Sequence, residues 1–503
     1  MNYHSIGYFA IFLPAVILIY QLCQEKYRWL VLLTANLVFF WLWSGIGVVY
    51  ILAAILITWF FSQKLNSMQK APEGVSRKEF QKKKKRILHI GVVCVLLMLA
   101  VLKYTNFVGS TIMGGNWTTI HILVPIGISY YTLQAISYMC DIADKKTAPA
   151  PSIGKLAVYL SFFPTLAQGP IAKYSDIGEQ IAAGKPVTYE NLSQGYQRIL
   201  WGLYKKVVIA DHIAPAMISL YNTYNSFGSM TIFAMILCTI QLYMDFSGTI
   251  DIAIGTGKIF GVTITENFRQ PFFAKNAGDF WRRWHITLGV FLRTYVFYPV
   301  SLSKLVSKIT KFAQKHFGKK AARYIGPMIS LLCVWLCSGL WHGPKWTYVM
   351  YGLYYFVLIF AEQLLEGFVK KHFNENAIGF RVFRFIKLCI IVGVGELFFM
   401  APNFNTAMQM FQSIFVNFSP STFINEWSML GPGLSDYLII FGGFSVVVLV
   451  SILKEMGISI RRKLENLPLA VRWAFWYCAI MVVLFFGAYG PGFSALDMLY
   501  AGF

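Results

Sequence analysis

The apolar residues of this chain come in blocks that are long enough to cross a lipid bilayer, which takes about 20 residues as a helix. The chain has 503 residues, of which 57% are hydrophobic and only 13% are charged, whereas about a quarter of the residues in a soluble domain are charged. The blocks predict an all-α, polytopic membrane protein with about 11 to 13 transmembrane helices, and the shorter blocks are expected to be re-entrant or interfacial helices. The predicted spans are 5–22, 28–44, 46–62, 87–103, 119–140, 156–170, 193–222, 229–245, 249–262, 284–300, 325–342, 346–361, 384–400, 436–453 and 471–490.

The polar stretches between these blocks are too short for a soluble domain of ordinary size. We therefore predict one integral membrane domain over residues 1–503, with N-terminal helices in 1–118, a core in 119–400 and C-terminal helices in 401–503. Any chemistry must then be done by residues within or between the spans. The sequence contains no GxxxxGK[ST] pattern, so it predicts no P-loop for ATP.

Positive charge is concentrated in two short segments. Lys64–Arg86 holds nine Lys and Arg residues, and Lys304–Arg323 holds seven. Short basic loops mark the cytoplasmic side of a membrane protein, so the N-terminus is predicted to lie outside the cell. The basic segments could instead dock an anionic donor, such as coenzyme A or an acyl carrier protein. We favour the first explanation, in which they set the orientation in the membrane and contact lipid headgroups.

The eight cysteines lie in or beside the apolar blocks, and none forms a CxxC pair. They are therefore predicted to be buried thiols without a disulfide framework. No metal site is expected.

A Trp-His pair, Trp341-His342, is the first candidate for chemistry. His342 follows a run, 325–341, that contains no charged residue, and an ionisable side chain at such a place points to a function. A Gly-Pro pair comes next, so the helix is expected to stop at His342, and the second apolar arm, 346–361, is short as well. We predict a turn within the membrane thickness, where a neutral His342 is the general base for an attacking hydroxyl. A buried histidine with a structural role is the alternative.

The other Trp-His pair, Trp284-His285, lies in a segment with helical periodicity. If residues 281–298 form one helix, one side is apolar and the other carries Arg282, His285, Gly289 and Arg293. A polar stripe with a glycine gap suits the wall of a substrate passage. The arginines also suit an interfacial helix that reaches lipid headgroups, and for His285 both readings stay open.

Further polar residues that interrupt the apolar blocks are candidates for the same substrate path. Asn267, Trp284 and Trp341 could donate hydrogen bonds to a developing oxyanion. Gln134 and Gln168 lie where Pro and Gly break helices, which is tolerated at membrane depth only where the backbone lines a cavity or is buried. The remaining candidates for this path are Asp245, Ser247 and Trp281.

Six segments of the chain form ordered motifs. They are LVPIGISYYTLQ (123–134), SFFP (161–164) with QGP (168–170), GLYKKVVIAD (202–211), DFSG (245–248) with Asp251, FWRRWH (280–285) and SGLWHG (338–343). These segments resemble sequence patterns of the membrane-bound O-acyltransferase (MBOAT) family. The similarity is to its bacterial branch of alginate O-acetylation membrane proteins and to the teichoic acid D-alanyl transfer protein. Three residues depart from the usual pattern, namely Thr249, Thr294 and Met400, where tyrosine, aspartate and arginine are usual.

The resemblance implies that His342 is the catalytic histidine and that His285 is a second functional position. It also implies a central funnel in a multi-pass protein of the bacterial cell membrane. No bound cofactor is implied, and acetyl-CoA or an acyl carrier protein would be the thioester co-substrate. The implied partners are membrane lipid and an extracytoplasmic acyltransferase or polysaccharide synthase, without nucleic acid.

These observations predict an O-acyltransferase that moves an acyl group, most simply acetyl, from a cytoplasmic thioester to a hydroxyl. The acceptor hydroxyl would belong to an exported cell-surface polysaccharide or to a partner acyltransferase. D-alanyl transfer to teichoic acid is a second possibility within the same chemistry. A transporter or flippase without acyl chemistry is the alternative from another class, because broken helices and buried polar residues also suit a transport path.

Overall fold

The computed structural model describes residues 3–70 and 72–489, and the secondary structure of these residues is almost entirely helical. The β-type backbone pairing within these two ranges is a single isolated antiparallel bridge, between Phe268 and Trp284. The all-α prediction is confirmed. The end of the last predicted span and the rest of the C-terminal part, 490–503, lie outside the described residues.

The described residues form 22 α-helices, of which the first ten lie before Gly228. They are α1 (Leu13–Leu22), α2 (Glu25–Ser44), α3 (Val48–Ser67), α4 (Arg77–Met113), α5 (Ile128–Ala143), α6 (Ile153–Ser161), α7 (Phe163–Leu166), α8 (Tyr174–Ala183), α9 (Tyr189–Leu203) and α10 (Asp211–Asn222). Twelve more follow: α11 (Gly228–Ile259), α12 (Ala277–Arg283), α13 (Ile286–Leu292), α14 (Tyr298–Ser301), α15 (Lys304–His342), α16 (Trp346–His372), α17 (Ile378–Met400), α18 (Phe404–Val416), α19 (Pro420–Glu426), α20 (Leu434–Glu455), α21 (Ile460–Glu465) and α22 (Leu469–Phe486).

Shorter helical pieces join these elements. The 3-10 turns are Gly45–Gly47, Gly114–Asn116, Pro271–Phe273 and Trp427–Leu430. Three stretches are π-helical, a geometry that often occurs at functional sites. They are Tyr8–Phe12, Tyr204–Ala210 and Arg293–Phe297.

Seven helical segments of the described chain are long and apolar enough to span a membrane, or up to eight if one bent pair counts as a single span. The bent pair is Ile286–Ser301 with Lys304–Lys320. This number is smaller than the predicted total of about 11 to 13 crossings, because several predicted spans are short or interrupted helices. The seven segments are Glu25–Ser67, Arg77–Asn116, Gly228–Ile259, Ala322–His342, Trp346–His372, Leu434–Glu455 and Leu469–Phe486.

Several predicted span boundaries were wrong. The predicted spans 229–245 and 249–262 are parts of one continuous helix, α11, because the polar residues between them lie within that helix. The second arm of the hairpin at His342 is not short, since α16 has 27 residues. The first arm belongs to α15, which is interrupted by a non-helical residue, Gly318. Helical hydrogen bonding continues past an apolar block when its flanking polar residues reach solvent, so hydropathy alone underestimated both arms.

Two compact units can be distinguished among the described residues. The first unit contains the residues up to Ile199 together with Thr249–Glu266, and the second contains Leu200–Gly248 and the residues from Asn267 onward. The predicted subdivision into 1–118, 119–400 and 401–503 stays a prediction. All eight cysteines are free. Cys238 is buried, five are partly exposed, and Cys337 and Cys478 are exposed, so the prediction of buried thiols is confirmed for Cys238 alone.

A close crossing of α15 and α16 positions the side chains around His342. A Cβ atom on Gly339 would lie 2.4 Å from the carbonyl oxygen of Tyr348, and one on Gly352 would lie 2.3 Å from that of Trp335. The two backbones approach so closely that only glycine fits at both positions. This crossing brings the end of α15 against the first turns of α16.

Candidate active site

His342 is the last residue of α15, as the sequence predicts. Gly343, which follows, is extended (φ 162°, ψ 174°), so the helix ends there. The side chain of His342 is buried, with 2% of its surface exposed. Its ring centroid lies 5.1 Å from those of Trp341 and Phe399 and 5.8 Å from that of Tyr351. The imidazole is therefore held in an aromatic environment from which bulk water is excluded.

His285 does not lie within a helix, which contradicts the prediction of one helix over 281–298. The chain breaks between α12 and α13, where Trp284 is extended and His285 has a left-handed backbone (φ 47°, ψ 52°). Further along the predicted helix, the segment Arg293–Phe297 is π-helical. A left-handed conformation is unusual for a residue other than glycine, and such strain persists where the surroundings fix it, often at functional sites.

Asn267 fixes the orientation of the His285 ring. Its Oδ1 accepts hydrogen bonds from the backbone N–H and the hydroxyl of Thr287, at 3.0 and 2.9 Å, and lies 3.3 Å from Nδ1 of His285. A backbone N–H can only donate, so the atom facing it must be the amide oxygen, and Nδ1 of His285 must carry the proton. The backbone carbonyl of Asn267 also accepts from Ile286 at 3.0 Å.

Two polar atoms of this pair are left for a ligand. Nε2 of His285 is buried without a hydrogen-bond partner among the described residues, and so is Nδ2 of Asn267. With Nδ1 protonated, Nε2 carries a lone pair and can accept a proton or a hydrogen bond. The amide Nδ2 of Asn267 is a hydrogen-bond donor. The pair therefore provides one base-capable atom and one donor of the type that stabilises oxyanions.

A cavity of about 370 Å³ adjoins His285. The four residues of the predicted polar stripe, from Arg282 to Arg293, line it together, although the single helix that was predicted to carry them does not exist. Most of the other lining is apolar or aromatic. The lining residues are Gly278, Trp281, Arg282, His285, Leu288, Gly289, Leu292, Arg293, Phe297, Tyr298, Leu331, Val334, Trp335, Ser338, Ile359 and Gln363.

The two histidines share an aromatic wall. The ring of Trp341 lies 5.5 Å from that of His285 and 5.1 Å from that of His342. One face of α15 lines the cavity as far as Ser338, and His342 follows four residues later, on the same face of the helix. His342 itself is not among the residues that line the cavity.

A family model described as MBOAT, membrane-bound O-acyltransferase family, matches residues 36–314, which is more than half of the chain. This chain belongs to the membrane-bound O-acyltransferase family. The matched range includes Asn267 and His285. Members of the family are acyltransferases, so the chain is a membrane-embedded O-acyltransferase.

Curated relatives of this MBOAT protein cover most of its length. It is 30% identical to the probable alginate O-acetylase AlgI of Azotobacter vinelandii over 423 residues, which cover 82% of this chain and 78% of the relative. It is 28% identical to the peptidoglycan O-acetyltransferase of Helicobacter pylori over 443 residues, 80% of this chain and 77% of the relative. The teichoic acid D-alanyltransferase of Bacillus subtilis is 31% identical over 256 residues, 49% of this chain and 61% of the relative.

The other predicted site residues of the second unit occupy different surroundings in this MBOAT protein. Trp281 lines the cavity and packs against Trp335 and Tyr355. Trp284 is buried in a stack with Phe280, away from the cavity lining. Arg282 and Arg293 both line the cavity and are exposed. Arg282 also forms an ion pair of 3.3 Å with Asp279.

Asp245 belongs to a buried cluster of charged residues, and Ser247 is bound by a neighbouring lysine. Neither appears among the described residues that line the cavity. The Nζ of Lys206 lies 2.5 Å from Asp245 and 2.7 Å from Asp211, and Lys205 donates to the hydroxyl of Ser247 at 2.8 Å. This arrangement gives Asp245 a charge partner within the protein. Its predicted place along the substrate path stays a prediction.

Gln134 and Gln168 lie in the first unit, and both are buried. Gln134 donates to the carbonyl of Ala172 at 3.5 Å. Neither amide atom of Gln168 has a hydrogen-bond partner in the described part of the chain. Their predicted role in the substrate path of the MBOAT protein stays a prediction.

Sequence reasoning missed the partners that hold these residues in place. Lys206 and Asp211 are five residues apart, a spacing that points to different sides of an α-helix, but Tyr204–Ala210 is π-helical and its wider turn brings them together. Thr287 was missed because its contact with Asn267 depends on the break at His285. The lysine pair within an otherwise apolar block was the available signal for the cluster.

We expect that Asn267→Ala lowers kcat of acyl transfer by about 10- to 100-fold, because the His285 ring loses the group that fixes its tautomer and orientation. The measurement is the initial rate with purified protein at saturating donor. Asn267→Asp keeps an accepting oxygen for Nδ1 of His285 and for Thr287 but lacks the Nδ2 donor and adds a negative charge, so it is expected to be impaired as well. Equal rates in wild type and Asn267→Ala would contradict this role.

Proposed function

We propose that this MBOAT protein transfers an acyl group, most simply acetyl, from a cytoplasmic thioester to a hydroxyl of an exported cell-surface polysaccharide or of a partner acyltransferase. The observation that carries the proposal is the pair of buried histidines on one aromatic wall beside a cavity. The ring of His285 is oriented by Asn267, with its Nε2 available to a ligand. The names of the relatives that cover most of the chain support acetyl as the group transferred.

In the proposed mechanism His342 is the general base. It removes the proton of the acceptor hydroxyl as that oxygen attacks the thioester carbonyl carbon. The negative charge on the carbonyl oxygen is stabilised by a donor such as Nδ2 of Asn267. The carbon–sulfur bond then breaks, the imidazolium returns its proton to the sulfur, and a free thiol and an ester are released. The thioester is already activated, so the step needs no ATP.

His285 would hold a reactant at the cavity. An Nε2 that carries a lone pair accepts a hydrogen bond from a hydroxyl or an amide N–H, and the low polarity around it strengthens that bond. Arg282 and Arg293 add positive charge to the cavity lining, which suits a donor with phosphate groups such as acetyl-CoA or a phosphopantetheine carrier. The thioester is a co-substrate, and we propose no resident cofactor.

The proposed setting is the bacterial cell membrane, with the N-terminus outside and the two basic segments on the cytoplasmic side. Acyl groups would then enter from the cytoplasm and be passed outward. A partner on the outer side, either an acyltransferase or a polysaccharide synthase, would receive or present the acceptor. These assignments rest on the charge of the short loops.

D-alanyl transfer to teichoic acid is the second candidate. It is favoured by the similarity to the Bacillus subtilis protein, which is named for that activity but matches only 49% of this chain. Both candidates use the same hydroxyl attack on a thioester. A transporter without acyl chemistry does not fit, because the family is one of acyltransferases.

The test is a reconstituted assay in proteoliposomes with radiolabelled acetyl-CoA, acetyl carrier protein and D-alanyl carrier protein supplied separately on one side. Release of free thiol together with formation of labelled ester from an acetyl donor would support the proposal. Ester formation from the D-alanyl carrier alone would support the second candidate. Absence of thioester cleavage with every donor would contradict both.

A further inference from the structure

The carboxylate of Glu362 connects three helices next to the cavity. Its Oε2 accepts a hydrogen bond from the backbone N–H of Ala277 at 2.8 Å, and its Oε1 accepts from Nζ of Lys387 at 2.6 Å. Glu362 belongs to α16, Lys387 to α17, and Ala277 is the first residue of α12. Glu362 itself does not appear in the cavity lining, so it has no contact there through which to act directly on a substrate.

The helix α12 has only seven residues, and its position depends on contacts at its two ends. The first amide groups of a helix have no acceptor within it. Here the amide of Asp279 is bound by the side chain of Asn276 at 2.7 Å, and that of Ala277 is bound by Glu362. At the other end, the carbonyl of Arg283 accepts from the amide of Arg269 at 2.9 Å.

The segment held in this way forms part of the cavity. Gly278, Trp281 and Arg282 of α12 line it, and the chain reaches His285 two residues after the helix ends. On α16, Ile359 lines the cavity three residues before Glu362. A shift of the first turn of α12 relative to α16 would therefore move one part of the cavity wall against another.

We propose that Glu362 is a positioning residue of the transferase, which sets the cavity geometry by binding the first amide of α12. Lys387 holds the carboxylate in the orientation that this hydrogen bond requires. The inference rests on the proposed function, because it takes the cavity as the place where the thioester binds.

The ion pair itself is expected to contribute little to folding. The side chains of Glu362 and Lys387 are 19% and 32% exposed, and partly exposed pairs are screened by solvent. The hydrogen bond to Ala277 can therefore be separated from the charges. Glu362→Gln with Lys387→Met removes both charges and keeps an accepting oxygen, whereas Glu362→Leu with Lys387→Met removes the acceptor as well.

The experiment compares KM and kcat of these two double variants with acetyl-CoA as the donor, at equal amounts of folded protein in detergent. We expect the Leu/Met variant to show a KM about tenfold above that of the Gln/Met variant, since misplacing a substrate contact by about 1 Å can cost about 100-fold and a smaller shift costs less. A merely structural role would lower the amount of folded protein and leave KM unchanged. Equal KM and kcat in the two variants would overturn the inference.

Ala277→Pro is an independent test that leaves the ion pair in place. Proline removes the N–H donor, is well suited to the first position of a helix, and follows an extended residue here, Asn276 (φ −160°, ψ 175°). Ala277→Pro should raise KM as the Leu/Met variant does. A wild-type KM in Ala277→Pro would overturn the inference even if the Leu/Met variant does not fold. Glu366→Gln, which breaks an exposed pair with Lys370 one turn further along α16, is the control.

The same assay separates this inference from the proposed function. If wild type transfers no acyl group from a thioester, the proposed function fails and the inference falls with it. Suppose instead that wild type is active and that His285→Ala is impaired. If the Glu362 variants then keep the wild-type KM and kcat, only the inference about Glu362 is overturned.

Discussion

Replacing His342 by alanine is expected to abolish acyl transfer, with kcat reduced by at least about 1000-fold, while the protein still inserts into the membrane. General base catalysis by a positioned histidine contributes about 100- to 10,000-fold, and the alanine variant has no basic nitrogen at this position. The side chain is enclosed by aromatic rings at the end of α15. The measurement is surface ester content in cells together with thiol release by purified protein.

The controls separate loss of chemistry from loss of fold. His342→Gln keeps a polar side chain of similar size without a basic nitrogen and should be as inactive as the alanine variant. His372→Ala removes an exposed histidine whose ring contacts a carbonyl of its own helix, Phe368, and should behave as wild type. Wild-type ester levels with His342→Ala would refute the assignment of the base.

Replacing Lys206 by methionine is expected to destabilise the protein by about 3–5 kcal/mol, because it leaves buried carboxylates without their counter-charge. The lysine is 2% exposed, as is Asp245, and it lies between Asp245 and Asp211. Removing one partner of a buried ion-pair cluster costs far more stability than replacing all of its charged residues together. The measurement is the thermal midpoint of the purified protein in detergent, together with its yield in membranes.

A matched set of variants tests the charge argument. Adding Asp211→Asn and Asp245→Asn to Lys206→Met removes the uncompensated charges and should recover most of the lost stability. Lys370→Met, which removes an exposed lysine paired with Glu366, should change the midpoint little. If Lys206→Met is as stable as wild type, the cluster is not a stabilising element.

Much of the site was predictable from residue type and spacing. Arg282, His285, Gly289 and Arg293 recur at helical intervals, and all four line one cavity. The Gly-Pro pair after His342 ends the helix there in the structure too. The helix end was predictable because helix termination is a local property of the chain. The spacing grouped the four cavity residues on the assumption of one helix, and that helix is broken at His285.

Contacts between distant residues could not be predicted in this way. The left-handed backbone of His285 is stabilised by Asn267, 18 residues earlier, so periodicity wrongly continued the helix through it. Whether an apolar block crosses the membrane could not be predicted for a similar reason, since a block that folds as a short helix has the same composition as one that crosses. Burial by neighbouring helices decides between these outcomes.

The sequence by itself determined that this protein is helical, embedded in a membrane, and equipped with two histidines in apolar surroundings, because long apolar blocks have few other stable forms in lipid. Only the tertiary structure decided the tautomer of one of these histidines and the surroundings of the other. The tautomer of His285 follows from the amide of Asn267, and the aromatic enclosure of His342 follows from the close crossing at Gly339 and Gly352. Both depend on backbones that approach from distant parts of the chain, and no local pattern records such an approach.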